Sequence, residues 1–198
     1  MQQFSDITAV ILAAGESRRI GSPKPFLALG DKTFLEVIVE RLKNAGIHNV
    51  VVVFNHAHRN QLKEISLPDC SCIVNTRSDL GQLYSFQLAL RALPSGTRAT
   101  LLCLVDHPCV LTETYRLLAA ESAESPQKIL IPTFRGRKGH PVVFPRLLFQ
   151  ELLHTPLGLG AHSVVHEHSE MVLLVPVSDE GVVLDIDTRQ EYLRIKDG

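Results

Sequence analysis

The stretch Leu12-Ala13-Ala14-Gly15-Glu16-Ser17-Arg18-Arg19-Ile20-Gly21-Ser22-Pro23-Lys24 follows the apolar run Ala9-Val10-Ile11-Leu12. A buried strand thus runs straight into a loop of small residues and cations, the layout of a phosphate site. Ala13, Ala14 and Gly15 carry too little bulk to hold a ligand away from the backbone. Gly15 and Gly21 permit positive φ, so that successive amides can turn inward around an anion. Arg18, Arg19 and Lys24 add charge. An Arg fork grips two phosphate oxygens whereas Lys is a point charge, and the mixture suits a polyphosphate better than a single carboxylate. On its glycines alone the loop reads equally as a basic surface turn. A Walker loop is ruled out, because five residues separate the glycines and Lys24 lies three beyond Gly21; the dinucleotide pattern G-x-G-x-x-G is also missing.

Asp106 follows the most apolar strand, residues 100–105, where a carboxylate is costly to bury without a cation or a set of donors. Pro108 stiffens the exit from that strand. A hard Mg²⁺ takes one or two carboxylates together with phosphate oxygens and water, so a metal is the natural partner; the plainer alternative is a solvated Asp capping a turn. Asp185 and Asp187 stand two apart along an extended segment, and one of them is expected to face Asp106. His162 and His166 share a helix face, but no third ligand lies near and H-E-x-x-H is missing, which favours solvated histidines over zinc. No G-x-S-x-G elbow supports a serine hydrolase.

These residues need elements to position them. Leu35, Ile38, Leu42 and Ala45 recur at helical spacing, with Asp31 or Thr33 to cap the start and Gly46 to end the helix. Val50-Val51-Val52-Val53-Phe54 is β-branched without polar alternation, as in a strand covered on both faces. A weaker helix is expected through Leu62 and Ile65, then a short strand at 72–74. Gly81 opens a helix whose stripe is Leu83, Phe86, Leu90 and Leu93. Thr112 caps a further helix with Leu111, Tyr115 and Leu118 facing inward, leading to a strand at 128–132. The basic loop Arg135-Gly136-Arg137-Lys138-Gly139-His140 feeds the strand 141–144, an added hairpin. A helix at 147–153, strands at 171–175 and 182–184, and a last short helix through Tyr192 and Leu193 complete the chain. The alternation predicts an α/β fold, a doubly wound and mostly parallel sheet with an added antiparallel hairpin, whose ligand site lies beyond the carboxyl ends of the strands.

At 198 residues one domain spanning 1–198 is expected. Hydrophobic residues at 45%, charged residues at 21% and a formal charge of −1 offer no basic field for a nucleic-acid backbone. The start lacks a cationic leader and the apolar runs are too short to span a bilayer, so no membrane partner and a cytoplasmic location are expected. The four cysteines, with Cys70 and Cys72 one residue apart, are expected as reduced thiols.

The loop resembles the L-A-A-G-x-S-x-R-x-G-x-P-K signature of the MobA-like nucleotidyltransferases, with Ile20 where Met is usual. The resemblance implies a nucleotide-diphospho-sugar transferase-like variant of the Rossmann fold and a loop that wraps a triphosphate, with Arg19 and Lys24 on the phosphates. The segment 75–90 is similar to N-x5-G-x-x-x-S-x-x-x-A-L of the molybdenum cofactor cytidylyltransferases, matching Asn75, Gly81, Ser85, Ala89 and Leu90. It implies base and ribose contacts from Asn75, Gly81, Gln82 and Ser85. Gly139-His140-Pro141-Val142-Val143-Phe144 resembles the G-H-P-V-x-F segment beside the pterin substrate, with Arg135, Arg137 and Lys138 near its phosphate. Asp185-Ile186-Asp187-Thr188 resembles the closing motif whose second acidic position, here Asp187, is the other metal ligand; Arg189 and Gln190 replace the usual Pro and Glu and weaken the helix start.

The resemblance therefore implies an enzyme that moves CMP from CTP to a phosphorylated pterin, the molybdenum cofactor, with release of pyrophosphate. Ala14, where the guanylyltransferases of this group show Gly, favours CTP over GTP. Leu12, Ala13, Ala14, Gly15, Glu16, Ser17, Arg19 and Lys24 are the expected nucleotide contacts from the loop; Arg19, Lys24 and Asp106 are expected to be catalytic. Asp106 and Asp187 hold Mg²⁺, or Mn²⁺ in its place, and Gly139, His140 and Pro141 meet the acceptor. A sugar phosphate as acceptor, or a non-catalytic nucleotide-binding chaperone, are the alternatives. A molybdenum hydroxylase apoenzyme or its chaperone is the implied recipient of the product.

Overall fold

A computed structural model describes residues 3–15, 17 and 19–196. Ten strands and six helices follow in order: β1 (Ile7–Ala13), the small antiparallel pair β2 (Ala28–Leu29) and β3 (Lys32–Thr33), α1 (Phe34–Asn44), β4 (Asn49–Asn55), β5 (Cys70–Asn75), α2 (Gly81–Arg91), β6 (Ala99–Leu104), α3 (Thr112–Glu124), β7 (Ile129–Phe134), β8 (Arg137–Lys138), β9 (Val142–Pro145), α4 (Phe149–His154), α5 (Ala161–Glu167), β10 (Val172–Pro176) and α6 (Arg189–Lys196). The main sheet runs β10-β7-β9-β6-β1-β4-β5, and β8 pairs with β7. β6, β1, β4 and β5 are parallel, as are β10 and β7. β9 alone runs against both its neighbours, so the expected hairpin strand lies inside the sheet, between β6 and β7.

The run of valines in β4 explains itself once both faces are seen. Val50, Val52 and Phe54 pack with α1 and α3 residues such as Leu35, Ile38, Tyr115 and Leu118, while Val51 and Val53 pack with Leu83 and Phe86 of α2 on the other face. Both faces of the strand are therefore dry, and no polar alternation is needed. α1 starts at a full capping box: Thr33 Oγ1 accepts from the amide of Glu36, and the Glu36 carboxylate accepts from the amide of Thr33. Gly46, at φ +92°, stands just past its end. The four cysteines are free thiols.

Four expectations for the elements are overturned. The helix through Leu62 and Ile65 is two single 3₁₀ turns, His56–His58 and Gln61–Glu64, because the stretch has too few apolar residues to bury a helical face before Pro68. The strand at 182–184 is a 3₁₀ turn, Glu180–Val183, bent by Asp179, whose carboxylate accepts from the amide of Gly181. Thr112 is the first helical residue of α3 rather than its cap, and Leu111 is exposed. The start of α6 is not weak: Thr188 and Glu191 form a reciprocal capping pair in which Glu191 Oε2 also accepts from the amide of Asp187. Among the described residues, no helix is long and apolar enough to cross a membrane.

Candidate active site

Because β1 and β6 are parallel neighbours, their carboxyl ends deliver the 14–24 loop and Asp106 to the same rim of the sheet. The two ends are tied where Val105 donates its amide to the carbonyl of Leu12. A cavity of about 300 Å³ opens there, lined by residues of the β1 loop, the start of α2 and the end of β6. Leu12, Ala14, Gly15, Ser17, Arg19 and Lys24 line it from the first of these; Gly81, Gln82 and Ser85 line it from the second. Ala13 points into the core instead, as the alternation of β1 requires. Glu16 and Arg18 lie outside the described residues.

The left-handed turn of the loop is at Ser17, φ +52°, and Gly21, φ +77°, not at Gly15. Ser17 closes the loop twice: its carbonyl accepts from the amide of Gly21, and its hydroxyl accepts from the amide of Lys24. Gly15 has open space where a Cβ would stand, so its lack of a side chain leaves backbone accessible to a ligand.

Lys24 stands between two carboxylates. Its Nζ lies 2.5 Å from Asp187 Oδ1 and 3.2 Å from Asp106 Oδ2, and Arg19 Nη2 lies 2.5 Å from Asp187 Oδ2. The bond from Lys24 holds the Asp187 carboxyl below the ordinary carboxylate value against the opposing effect of burial, with Arg19 adding charge. Asp106 Oδ1 is buried and has no hydrogen-bond partner among the described residues. An orphaned carboxylate oxygen beside a second carboxylate is a coordination position, and it fits a hard divalent cation. Among the described residues no three His, Cys, Asp or Glu side chains gather to hold a metal. An ion at this pair would draw its remaining ligands from phosphate oxygens and water, as Mg²⁺ and Mn²⁺ do. Asp185 is exposed and the intervening Ile186 is buried; of the two acids it is Asp187 that lines the cavity.

Asn75 does not reach the cavity. Fully buried at the end of β5, it donates to the Ser85 hydroxyl at 2.9 Å and accepts from the amide of Arg77, holding Ser85 in the cavity wall and fixing the turn into α2.

A second, larger cavity of about 820 Å³ adjoins the first through Leu12, Gln82 and Leu104. Its walls are mainly apolar, from Leu83, Phe86, Ile131, Val142 and Phe144, and Gly139 and His140 stand at one end. Pro141 is buried beneath them. His162 and His166 are exposed, as expected, yet both line this cavity. Lys138 reaches it, whereas Arg135 folds over the ring of Phe134. The rings of His140 and His107 are 5.1 Å apart. Burial, and then the nearby His107, push the His140 imidazole down to about 4, and its buried Nδ1 has no partner among the described residues. His140 is therefore a neutral imidazole near pH 7.

Sequence reasoning missed the clamp around this rim. Ile186 donates its amide to the carbonyl of Asp106, His140 to that of Val182, and Arg41 reaches from α1 to the carbonyls of Pro108 and Val110. The partners are tens of residues apart, and no local pattern announces them.

The family model for the MobA-like NTP transferase domain matches residues 9–172. The chain is 29% identical over 203 residues to nicotine blue oxidoreductase of Paenarthrobacter nicotinovorans, covering 96% of each. It is 27% identical over 186 residues to a Mycobacterium bovis protein named probable molybdenum cofactor guanylyltransferase, covering 92% of this chain and 86% of that one. Among solved structures, a Mycobacterium tuberculosis protein in complex with manganese superposes with a TM-score of 0.81 at 27% identity, covering 98% of this chain and 99% of that one.

Proposed function

Because the chain belongs to the family of MobA-like NTP transferase domains, and is a nucleotidyltransferase, we propose that it moves CMP from CTP to the phosphate of a molybdenum-loaded pterin. The observation that carries this reading is the orphaned Asp106 Oδ1 beside Asp187 and Lys24, at the mouth of a cavity lined by a small-residue loop. Ala14, which lines the cavity, supports CTP, because the resemblance to the guanylyltransferases of this group implies Gly at that position. The apolar second cavity supports a flat heterocycle over a sugar phosphate, whose hydroxyls would find few partners there.

The acceptor phosphate oxygen attacks the α-phosphorus of CTP in line; the new P–O bond forms as the bond to pyrophosphate breaks, and no protein nucleophile intervenes. Asp106 and Asp187 hold Mg²⁺ or Mn²⁺. The bound ion supplies Lewis-acid charge at the phosphate oxygens. Lys24 and Arg19 neutralise the charge that develops on the departing pyrophosphate. Gly81, Gln82 and Ser85 hold base and ribose, with Asn75 positioning Ser85. Gly139, His140 and Pro141 shape the acceptor end, so that the two substrates meet in one orientation.

The test has two steps. Thermal shifts with CTP, GTP, ATP and UTP, each with and without Mg²⁺ or Mn²⁺, should be largest for CTP with metal, because a ligand of the native state stabilises it by mass action. Pyrophosphate release with the loaded pterin should follow. A larger shift with GTP overturns the donor, and release with a sugar phosphate overturns the acceptor. Binding without release makes the protein a carrier, handing cofactor to a molybdenum hydroxylase apoenzyme. The name of the Paenarthrobacter relative supplies one further competing outcome: an oxidoreduction with no pyrophosphate formed.

A further inference from the structure

Asp187 arrives at the site on a strap, residues 177–187, that lies beyond the residues matched by the family model. The strap carries its own buried carboxylate, Asp179, which is only 5% exposed. Asp179 Oδ2 accepts from the amide of Leu111 at 2.8 Å and from the hydroxyl of Thr114 at 2.6 Å, both at the start of α3. Its Oδ1 accepts from the amide of Gly181 at 2.9 Å, in the strap itself. We propose that Asp179 is a positioning residue for the Asp106–Asp187 pair: its two oxygens tie the strap to the segment that follows Asp106.

The residue type is the first argument. A buried carboxylate whose contacts are two amides and a hydroxyl is a costly way to cap a helix, and Asn caps about as well. Asn would fail here for another reason. Donors face Asp179 from both sides, and an amide group offers one of them an N–H instead of an oxygen. Only a carboxylate accepts from strap and helix at once.

Connectivity is the second argument. Leu111 lies five residues after Asp106, and Asp179 lies eight before Asp187, so the Asp179 contacts close a ring through both members of the pair. The Ile186 amide on the Asp106 carbonyl ties the ring again near the site. Gly181 lets the strap lie flat, since a Cβ there would stand 2.4 Å from the carbonyl oxygen of Cys109. A group that fixes ligands without touching the ion acts on metal affinity and turnover more than on nucleotide capture.

The proposal rests on Asp106 and Asp187 being the metal-holding pair, and the experiment separates the two claims. The full chain and its variants Asp179→Asn, Thr114→Val and Thr114→Ser are compared by Mn²⁺ electron paramagnetic resonance, melting temperature, and kcat and KM for pyrophosphate release. In Asp179→Asn, Mn²⁺ affinity and kcat should each fall about 10-fold or more, the scale of lost outer-shell support. KM for the nucleotide should stay within about 2-fold, because the triphosphate loop is untouched. Thr114→Val should move the same quantities in the same direction, and Thr114→Ser should restore them. If Asp179→Asn does not fold, the Thr114 pair decides. Lower melting temperatures with Mn²⁺ affinity and kcat unchanged would make Asp179 a helix cap only and overturn the proposal. Wild-type protein that neither binds Mn²⁺ nor releases pyrophosphate would overturn the functional reading itself, and this proposal with it.

Discussion

Lys24 sits where the repulsion between two carboxylates has to be answered. Its ammonium touches both Asp106 and Asp187, and its side chain is 11% exposed, so solvent screens the contact only in part. A divalent ion binding at the same oxygens competes with that ammonium. Lys24→Met should therefore bind Mn²⁺ more tightly than wild type in the absence of nucleotide, which calorimetry would show. Its turnover should nevertheless fall by about 10²–10³-fold, the cost of losing a charged donor to a developing anion. Asp187 gives the pair a pH signature. Its folded value is depressed, so its contribution to stability is present above the ordinary carboxylate value and is lost as pH falls through the lower, folded one. Asp187→Asn should flatten the acid limb of a stability curve below about pH 4, read by urea midpoints. Lys24 and Asp106 were legible from residue type and place, one in a loop of small residues and the other at the end of a strand, whereas Asp187 was singled out only by resemblance to a closing motif. The left-handed turn at Ser17 and the part played by Asp179 were not legible, since a positive φ at Ser and a contact 68 residues away leave no local mark.

At the scale of elements, capping decides where the site residues stand. Thr188 starts α6, and the Glu191 carboxylate gathers the amides of Asp187 and Thr188. Asp187, the proposed metal ligand, is thus the residue just ahead of a helix start and shares its rigidity. Thr188→Ala should cost about 1 kcal/mol by chemical denaturation, the usual worth of an N-cap. It should also raise the Mn²⁺ concentration needed for half-maximal pyrophosphate release, because Asp187 loses its anchor. The Ser/Thr-x-x-Glu spacing of this cap is visible in the sequence, but the replacement of Pro and Glu by Arg189 and Gln190 drew the reading the other way. Periodicity served well where an element buries one whole face, as in α1 and α2, or both, as in β4. It failed for 182–184, where a short apolar run with Gly181 folds into a 3₁₀ turn against the segment after β6.

For the molecule as a whole, the alternation of strands and helices was enough to infer a mostly parallel sheet with its ligands beyond the strand ends. The place of β9 was not, because hairpin signals fix which strands are adjacent in the chain and not which strands flank them in the sheet. That place matters to stability as well as to the site. His140, just ahead of β9, is held neutral by burial and by His107, with a value pushed down to about 4. The unfolded chain takes up the proton that the fold refuses, so stability should be level above about pH 6.5 and decline as pH falls from there towards about 4. His140→Gln should make that decline shallower, as measured by urea midpoints between pH 4 and 8. A strand that runs against its neighbours also begins where they finish. The turn into β9 therefore arrives at the same rim as the ends of β1 and β6 without sharing a residue with them. The rim takes the β1 loop and the turn into β9 from separate lengths of chain, and on the proposed function the first serves the donor and the second the acceptor. If the proposed function holds, a lineage could thus redraw residues 134–141 for a new acceptor and leave the β1 loop as it was.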